Sequence, residues 1–211
     1  MSASRPDLRD QLIAMQRRDQ DVRAELVASG ELFDDYHPAM RAVHDDHAAK
    51  LNAIVDEVGW PGRSLVGDDG TAAAWLVLVH SIAHPALLRR CRPLVAAAAA
   101  NGENPRWHAA KLEDRIRCFE GRAQLYGTMF DWDPAGRMSP QRIENEGSVD
   151  ERRSEVGLPP LQQDTERIRA EAAAEAHGPP PDYEAREAAK RRFARSVGWI
   201  PPRARRSGSG Q

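Results

Sequence analysis

Residues 72–80 read AAAWLVLVH, an apolar run that ends at His80. A helix that is apolar on every side is buried on every side. The preceding residues 68–71 (DDGT) are rich in side chains that cap helix N-termini. We therefore expect a helix over residues 72–83 at the centre of a helical domain.

Four further helices are predicted around this central segment. Apolar residues recur at helical spacing over residues 7–28, and again in a stretch that starts at Pro38 and ends at Gly59. Proline suits the first turn of a helix and glycine suits its end. By the same signals, one helix runs from Pro85 through an alanine run, and another occupies residues 104–119.

The pattern changes after Gly121. Residues 124–131 (QLYGTMFD) favour an extended strand, residues 133–136 (DPAG) favour a turn, and residues 137–143 can pair back. A capping-box pattern at residues 148–151 (SVDE) predicts a short helix, and an alanine-rich helix follows. The predicted fold class is mainly α: a compact helical domain over residues 5–176 with one β-hairpin near residues 122–143.

The C-terminal part differs from this domain in charge. Residues 177–181 (HGPPP) indicate a proline-rich linker, and residues 182–211 predict a basic helix and a flexible tail. The segment from Gly178 onward carries eight basic and three acidic residues, although the formal net charge of the whole chain is −2. We expect a basic appendage on an acidic domain. Contact between this tail and nucleic acid is the weaker interpretation, and a solvated end is the stronger one.

The composition excludes several classes of protein. With 41% apolar and 29% charged residues in a chain of 211, a hydrophobic core can form. No apolar run approaches the roughly 20 residues of a membrane-spanning helix. The two cysteines, Cys91 and Cys118, are isolated in the sequence, which favours buried thiols over a disulfide framework. We therefore predict a cytoplasmic protein, and no cofactor-binding motif is present.

Two histidine pairs suggest a metal site. His44 and His47 lie three residues apart, and His80 and His84 lie four apart, so each pair shares a helix face. Residues 80–84 (HSIAH) have the outer spacing of the zincin motif but lack its catalytic glutamate, which excludes that protease chemistry. No third-ligand spacing supports a metal ion. The four histidines stay low-ranking candidate ligands, and no metal is predicted.

His80 is the sharper candidate, because it is a polar side chain at the end of a buried segment. A buried imidazole needs hydrogen-bond partners for both ring nitrogens. Asp114, Arg115, Gln124 and Tyr126 are the candidate partners. A bond between His80 and Asp114 would orient the ring and make it a better general base. The same bond would serve equally well in a purely structural network.

Several motifs together resemble the bacterial domain of unknown function 6624 family over about residues 8–170. In order they are GWP (59–61), VG (66–67), AWLV (74–77) leading into His80, LEDRI (112–116), EGR (120–122), QLYGT (124–128) and VDERR (149–153). The resemblance implies no established reaction. It places the family's motif residues at His80, Asp114, Arg115, Gln124, Tyr126, Gly127 and Thr128. The usual Gln-His pair reads Val79-His80 here, and the usual Gly-Thr-Gln reads Gly127-Thr128-Met129.

Two functional classes fit these residues. The first is a small-molecule or peptide-binding domain, extending to a hydrolase-like acid/base enzyme with His80 and Asp114 as catalytic residues. Its ligand-binding residues would be Arg115, Gln124, Tyr126, Thr128 and Trp60. The second is a non-catalytic protein-interaction or regulatory module in which His80 belongs to a buried structural network. Solvent access discriminates between them, because a sealed His80 without an adjoining cavity would exclude the enzyme.

Overall fold

The computed structural model describes residues 4–31, 36–174 and 178–201. Within these ranges the chain forms eight α-helices and one two-stranded antiparallel sheet, which confirms the predicted fold class. The elements are α1 (Pro6–Ser29), α2 (Pro38–Val58), α3 (Arg63–His80), α4 (Pro85–Ala100), α5 (Arg106–Phe119), β1 (Phe130–Trp132), β2 (Met138–Pro140), α6 (Val149–Glu155), α7 (Leu161–Ala174) and α8 (Tyr183–Ser196).

Helix α3 lies at the centre of the core, as its apolar sequence predicts. Ala73, Ala74 and Leu78 are completely buried, and α1 packs along the helix on one side. Helices α4 and α5 form a second packed pair. No helix in the described ranges combines the length and the apolar character that crossing a bilayer requires.

The boundaries of α3 differ from the prediction at both ends. The helix starts with an extra turn at Arg63, which Gly67 separates from the rest through its non-helical backbone (φ 74°, ψ 174°). It ends at His80 instead of continuing to residue 83. Ser81 leaves the helical conformation, and Pro85 occupies the first turn of α4. Because α3 stops there, His80 stands at the C-terminal end of the buried helix.

Helices α1 and α2 follow their predicted ranges closely. Gly30 ends α1 in the left-handed conformation (φ 78°), and its N–H donates to the carbonyl groups of Leu26 and Val27. Pro38 begins α2, and Gly59 caps its end. Together these helices bring residues of α1 and α2 against the C-terminal end of α3.

The predicted β-hairpin is present but shorter than its sequence range. Strands β1 and β2 pair antiparallel, with Asp131 opposite Ser139. Gln124 and Ile143 form only an isolated bridge, so residues 124–129 are an ordered loop and not a strand. The following helix α6 begins at the predicted place, but the capping box is wrong. The Ser148 side chain makes no cap bond; its hydroxyl donates to the Asn145 carbonyl and accepts from the Arg152 guanidinium.

The C-terminal segment packs onto the main core. Trp199 is 2% exposed, and its indole N–H donates to the Ile82 carbonyl at 2.7 Å. Its ring stacks on Phe119, and Ala194 of α8 joins the same hydrophobic cluster. Residues 183–200 of the predicted basic appendage are therefore anchored on the helical domain. Proline and charge in the sequence indicated separation, whereas one buried tryptophan anchors the segment.

Part of the basic charge on α8 is also neutralised within the structure. Arg186 donates to Asp131 of the hairpin at 2.8 Å, and Lys190 forms ion pairs with Asp131 and Glu187. The predicted linker touches the hairpin as well, since a Cβ added to Gly136 would lie 3.3 Å from Pro179. The predicted flexible tail beyond residue 201, and the end of the alanine-rich helix at 175–176, lie outside the described residues.

Candidate functional site

The centre of the candidate site is Asp19, a carboxylate within the apolar stripe of α1. Its neighbours on that stripe include Met15 and Val22, which are buried, and Asp19 itself is only 1% exposed. A buried charge is destabilising unless hydrogen bonds compensate it. The contacts of Asp19 therefore decide what this position does.

Two histidines from different helices bind the Asp19 carboxylate. His44 Nε2 lies 2.9 Å from Oδ2, and His80 Nδ1 lies 2.9 Å from Oδ2 and 3.0 Å from Oδ1. The Tyr36 hydroxyl lies 2.7 Å from His44 Nδ1. A chain of hydrogen bonds thus runs from Tyr36 through His44 and Asp19 to His80.

The direction of these bonds fixes where the protons lie. An ionised carboxylate only accepts hydrogen bonds, so both ring nitrogens that face Asp19 must carry protons. In neutral His44 the remaining nitrogen, Nδ1, then accepts from the Tyr36 O–H. In neutral His80 the remaining nitrogen, Nε2, holds a lone pair and makes no hydrogen bond to any described residue.

The electrostatics favour this arrangement. Burial alone would raise the pKa of Asp19, but the hydrogen bonds from His44 and His80 outweigh it and lower the pKa well below the usual range. Burial and the charge of Asp45 raise the pKa of Tyr36. At neutral pH, Asp19 is therefore ionised and Tyr36 stays protonated.

His80 is accessible to solvent, unlike its two partners. Its side chain is 33% exposed, compared with 1% for Asp19 and 9% for His44. A sealed His80 would have excluded an enzyme. Because the His80 side chain is exposed to solvent, the enzyme interpretation stands. A free Nε2 on a ring oriented by a buried carboxylate is the geometry of a general base.

A cavity of about 630 Å³ lies beside this site, and Tyr36 is the one residue of the hydrogen-bonded chain that lines it. Tyr36 stacks on His44 and meets Phe193 of α8 edge-on, and Ile82, two residues beyond His80, also lines the cavity. The walls combine apolar and charged groups from α5, the hairpin and α8, including Cys118, Phe119, Met129, Asp131, Lys190 and Phe193. A small molecule fits a volume of this size.

Asp114 does not pair with His80 but binds the backbone of the loop at residues 125–128. Its carboxylate accepts hydrogen bonds from the backbone N–H groups of Leu125, Tyr126 and Thr128 and from the Thr128 hydroxyl, at 2.6–3.1 Å. Asp114 is fully buried, and both of its carboxylate oxygens accept hydrogen bonds from these donors. The partner of His80 is Asp19, so the expected pair of His80 and Asp114 does not form.

Gln124 holds the same loop closed. Its side-chain amide donates to the carbonyl groups of Met129 and Gln141 and accepts from the Met129 N–H. Asp114, Gln124 and Thr128 thus come together as a loop anchor, and Tyr126 contributes its backbone N–H and carbonyl. None of these side chains forms a hydrogen bond with His80.

The other two predicted ligand-binding residues lie apart from this anchor. Arg115 is partly buried on α5 and makes no hydrogen bond or ion pair with any described residue. Trp60 packs partly buried against the core, and its buried indole nitrogen has no hydrogen-bond partner in the described structure.

The four candidate metal ligands do not form one cluster. Among the described residues, one group of three potential ligands has all its ligand atoms within 4.8 Å of one another. It consists of Asp19, His44 and His80. His47 is buried with an unpartnered Nδ1, and burial lowers its pKa. His84 binds Asp45 at 2.8 Å on the surface of the molecule. Two histidines and a carboxylate can hold a divalent metal ion, with Asp19 as the ligand that the histidine spacing did not reveal.

Asp19 and Tyr36 are the site residues that the sequence analysis missed. A signal for Asp19 exists, because the α1 stripe of Leu8, Leu12, Met15, Val22 and Leu26 has a gap at position 19. A carboxylate at a core position predicts a buried polar partner. Tyr36 had no comparable signal, since it precedes α2 outside any periodic pattern.

The comparison with known families agrees with the motifs along the chain. A model described as a family of unknown function (DUF6624) matches residues 6–175. The chain belongs to this family. No curated protein and no solved structure matches it. Within the region that matches DUF6624 lie Asp19, Tyr36, His44 and His80, together with the Asp114 loop anchor. The family model ends before α8, which contributes Phe193 and Lys190 to the cavity.

Proposed function

We propose that this protein is a small-molecule hydrolase in which His80 acts as the general base. The observation that carries the proposal is the bond between His80 Nδ1 and the buried Asp19 carboxylate, with Nε2 free on an exposed face. This combination orients the ring, stabilises the imidazolium that forms in the reaction, and leaves one nitrogen for a substrate.

The proposed reaction is hydrolysis of an ester-type bond. His80 Nε2 takes a proton from a water molecule as the water oxygen attacks the carbonyl or phosphoryl centre. The bond to the leaving group breaks, and the leaving group receives that proton from the His80 imidazolium. Asp19 stays ionised throughout. His44 donates a hydrogen bond to its carboxylate, and Tyr36 in turn binds His44. His80 ends in its starting state.

The competing interpretation is a non-catalytic interaction module in which the same residues only stabilise the core. The exposed Nε2 of His80 favours the enzyme, because a substrate or a water molecule can approach it, whereas the His44 ring is enclosed between Asp19 and Tyr36. We place the activity in the bacterial cytoplasm, since both cysteines are free thiols and no disulfide is formed between them.

A metal-dependent hydrolase is a second candidate, supported by the proximity of the Asp19, His44 and His80 ligand atoms. A metal ion would need the nitrogens that face Asp19 to be deprotonated, so it would replace the hydrogen bonds to the carboxylate. Elemental analysis of the purified protein separates the two mechanisms. Stoichiometric zinc, iron or manganese would favour the metal, and its absence would favour the base.

The test is a panel of chromogenic carboxylic and phosphoric esters assayed with wild type, His80→Gln and His84→Gln. His84 is a matched control, because its ring also bonds to an aspartate and its side chain is 37% exposed. We expect His80→Gln to lower kcat by about 10²–10⁴-fold, the usual contribution of a general base, and His84→Gln to leave it within about twofold. Equal activity of wild type and His80→Gln would overturn the proposal.

A further inference from the structure

Helix α5 carries two cations, Lys111 and Arg115, that have no hydrogen-bonding or ion-pairing partner in the part of the chain that the structure describes. Lys111 and Arg115 lie four residues apart, so they share one face of the helix. Both are partly buried, and neither forms a hydrogen bond or an ion pair with any described residue. Lys111 has only a cation–π contact, with its Nζ 4.8 Å from the centre of the Trp107 ring.

These two side chains are exceptional among the cations of the described chain. Each of the other arginines that is at least partly buried has hydrogen bonds or ion pairs; they are Arg5, Arg9, Arg63, Arg117, Arg152 and Arg153. The other two lysines, Lys50 and Lys190, also form ion pairs. Within the described part of the chain, the partly buried arginines and lysines therefore all have hydrogen bonds or ion pairs, except for Lys111 and Arg115 on this face of α5.

Asp114 and Asp164 are both occupied by other donors. Asp114, beside Arg115 in the sequence, accepts its bonds from the loop at residues 125–128. Asp164, whose charge acts on Lys111, is shared by Arg153 and Arg167. Burial lowers the pKa of Arg115 to about 10 and also lowers the pKa of Lys111, where the charge of Arg115 adds to the effect. Both side chains are only partly buried, and their nitrogens are not among the buried polar atoms without a partner, so an anion can reach this pair of cations.

We propose that Lys111 and Arg115 form a binding site for an oxyanion, the phosphate or carboxylate group of a small molecule. Arg115 would bind two oxygens through its planar guanidinium, and Lys111 would add a second positive charge. The identification of this anion with the substrate rests on the proposed function. Binding of the anion itself does not.

The experiment is isothermal titration calorimetry with inorganic phosphate and with citrate at constant ionic strength. Four proteins are compared: wild type, Arg115→Met, His80→Gln and the control Arg92→Met, which removes an exposed arginine that is paired with Glu113. We expect the Arg115→Met variant to bind at least tenfold more weakly than wild type. Arg92→Met and His80→Gln should bind as wild type does. The tighter of the two anions identifies the oxyanion group.

Equal affinity of wild type and Arg115→Met, or no binding of either anion to wild type, would overturn the anion site. If Arg115→Met fails to fold, Lys111→Met provides the same comparison, again with an expected loss of at least tenfold. Because His80→Gln should retain binding, the anion site can be supported even when the ester panel shows no hydrolysis. Conversely, hydrolysis that depends on His80 without anion binding would leave only the proposed function standing.

Discussion

Asp19 occupies a position of α1 where the surrounding pattern calls for an apolar side chain. An apolar residue there would extend the stripe between Met15 and Val22 without any cost of burying a charge. The carboxylate instead requires two histidines and, through one of them, a tyrosine. A core that includes such a network gives up stability in return for one exposed and oriented imidazole, which is the trade expected at a functional site.

His108 illustrates a buried histidine with a purely structural role. It is 3% exposed, stacks on Trp75, and leaves its Nδ1 without a partner in the described structure. Burial lowers its pKa to about 4. Unlike His80, it has no carboxylate to stabilise an imidazolium, so it is neutral across the physiological range.

The stability of the protein should therefore depend on pH through His108. Below its unfolded pKa of about 6.5 the unfolded chain binds a proton that the folded chain rejects, so the free energy of unfolding falls as pH drops toward 4. Between pH 7.5 and pH 5 we expect wild type to lose about 2 kcal/mol more than His108→Phe, which keeps the loss that the lowered pKa of His47 causes. Urea denaturation at both pH values measures it, with His84→Gln as the control that keeps the loss.

At the scale of elements, the connection from α5 to the hairpin depends on Gly127. Its backbone is left-handed (φ 66°), and a Cβ there would lie 2.7 Å from Leu161 Cδ1 and 2.9 Å from Ile143 Cδ1. Gly121 has a similar φ of 75°, yet a Cβ there would meet nothing within 4 Å. An alanine at Gly121 would therefore cause backbone strain alone, whereas an alanine at Gly127 would cause both backbone strain and steric overlap.

We expect Gly121→Ala to destabilise the protein by about 1 kcal/mol, the cost of the left-handed backbone alone. Gly127→Ala should cost about 2–3 kcal/mol, because the ends of the Leu161 and Ile143 side chains must also shift. Chemical denaturation of both variants provides the comparison. Equal losses would show that the contacts with Leu161 and Ile143 do not constrain the loop.

The sequence predicted these elements to different degrees. Helices α1, α2 and α4 were predictable because proline and glycine mark their ends and an apolar period runs between them. The loop at residues 124–129 was not, since its conformation is imposed by Asp114 and Gln124 through bonds to distant backbone groups. Propensity favoured a strand there, and tertiary hydrogen bonds decided otherwise.

The candidate site shows the same division. His80 was predictable as a polar residue at the end of a buried helix. Its partner was not, because Asp19 is separated from it by 61 residues and only the packing of α1 on α3 brings them together. Spacing within one helix pairs His44 with His47 and His80 with His84. The fold pairs His44 with His80 across two helices instead.

At the scale of the whole molecule, the C-terminal segment packs into the main hydrophobic core through Ala194 and Trp199. Trp199 fills a position between Phe119 and the end of α3, and the Arg89 guanidinium lies 5.1 Å over its ring. Trp199→Ala should therefore lower the free energy of unfolding by about 3–5 kcal/mol, as for other buried aromatic residues. Denaturation followed by circular dichroism measures the change.

Trp132→Ala is the control for that measurement, since Trp132 is only partly buried on the hairpin. Its loss should be clearly smaller. If Trp199→Ala left the main unfolding transition unchanged, the C-terminal segment would be energetically separate from the helical domain, as its proline-rich and basic sequence first suggests.

The central claim is that a buried Asp19 carboxylate orients His80 with its Nε2 free. Nitrogen-15 NMR of the histidine side chains tests it most directly, because it distinguishes which ring nitrogen carries the proton. For the neutral rings, the structure predicts a proton on Nδ1 of His80 and on Nε2 of His44, with the His80 preference lost in Asp19→Asn. A His80 ring protonated on Nε2 in the wild-type protein, or one unaffected by Asp19→Asn, would contradict the account.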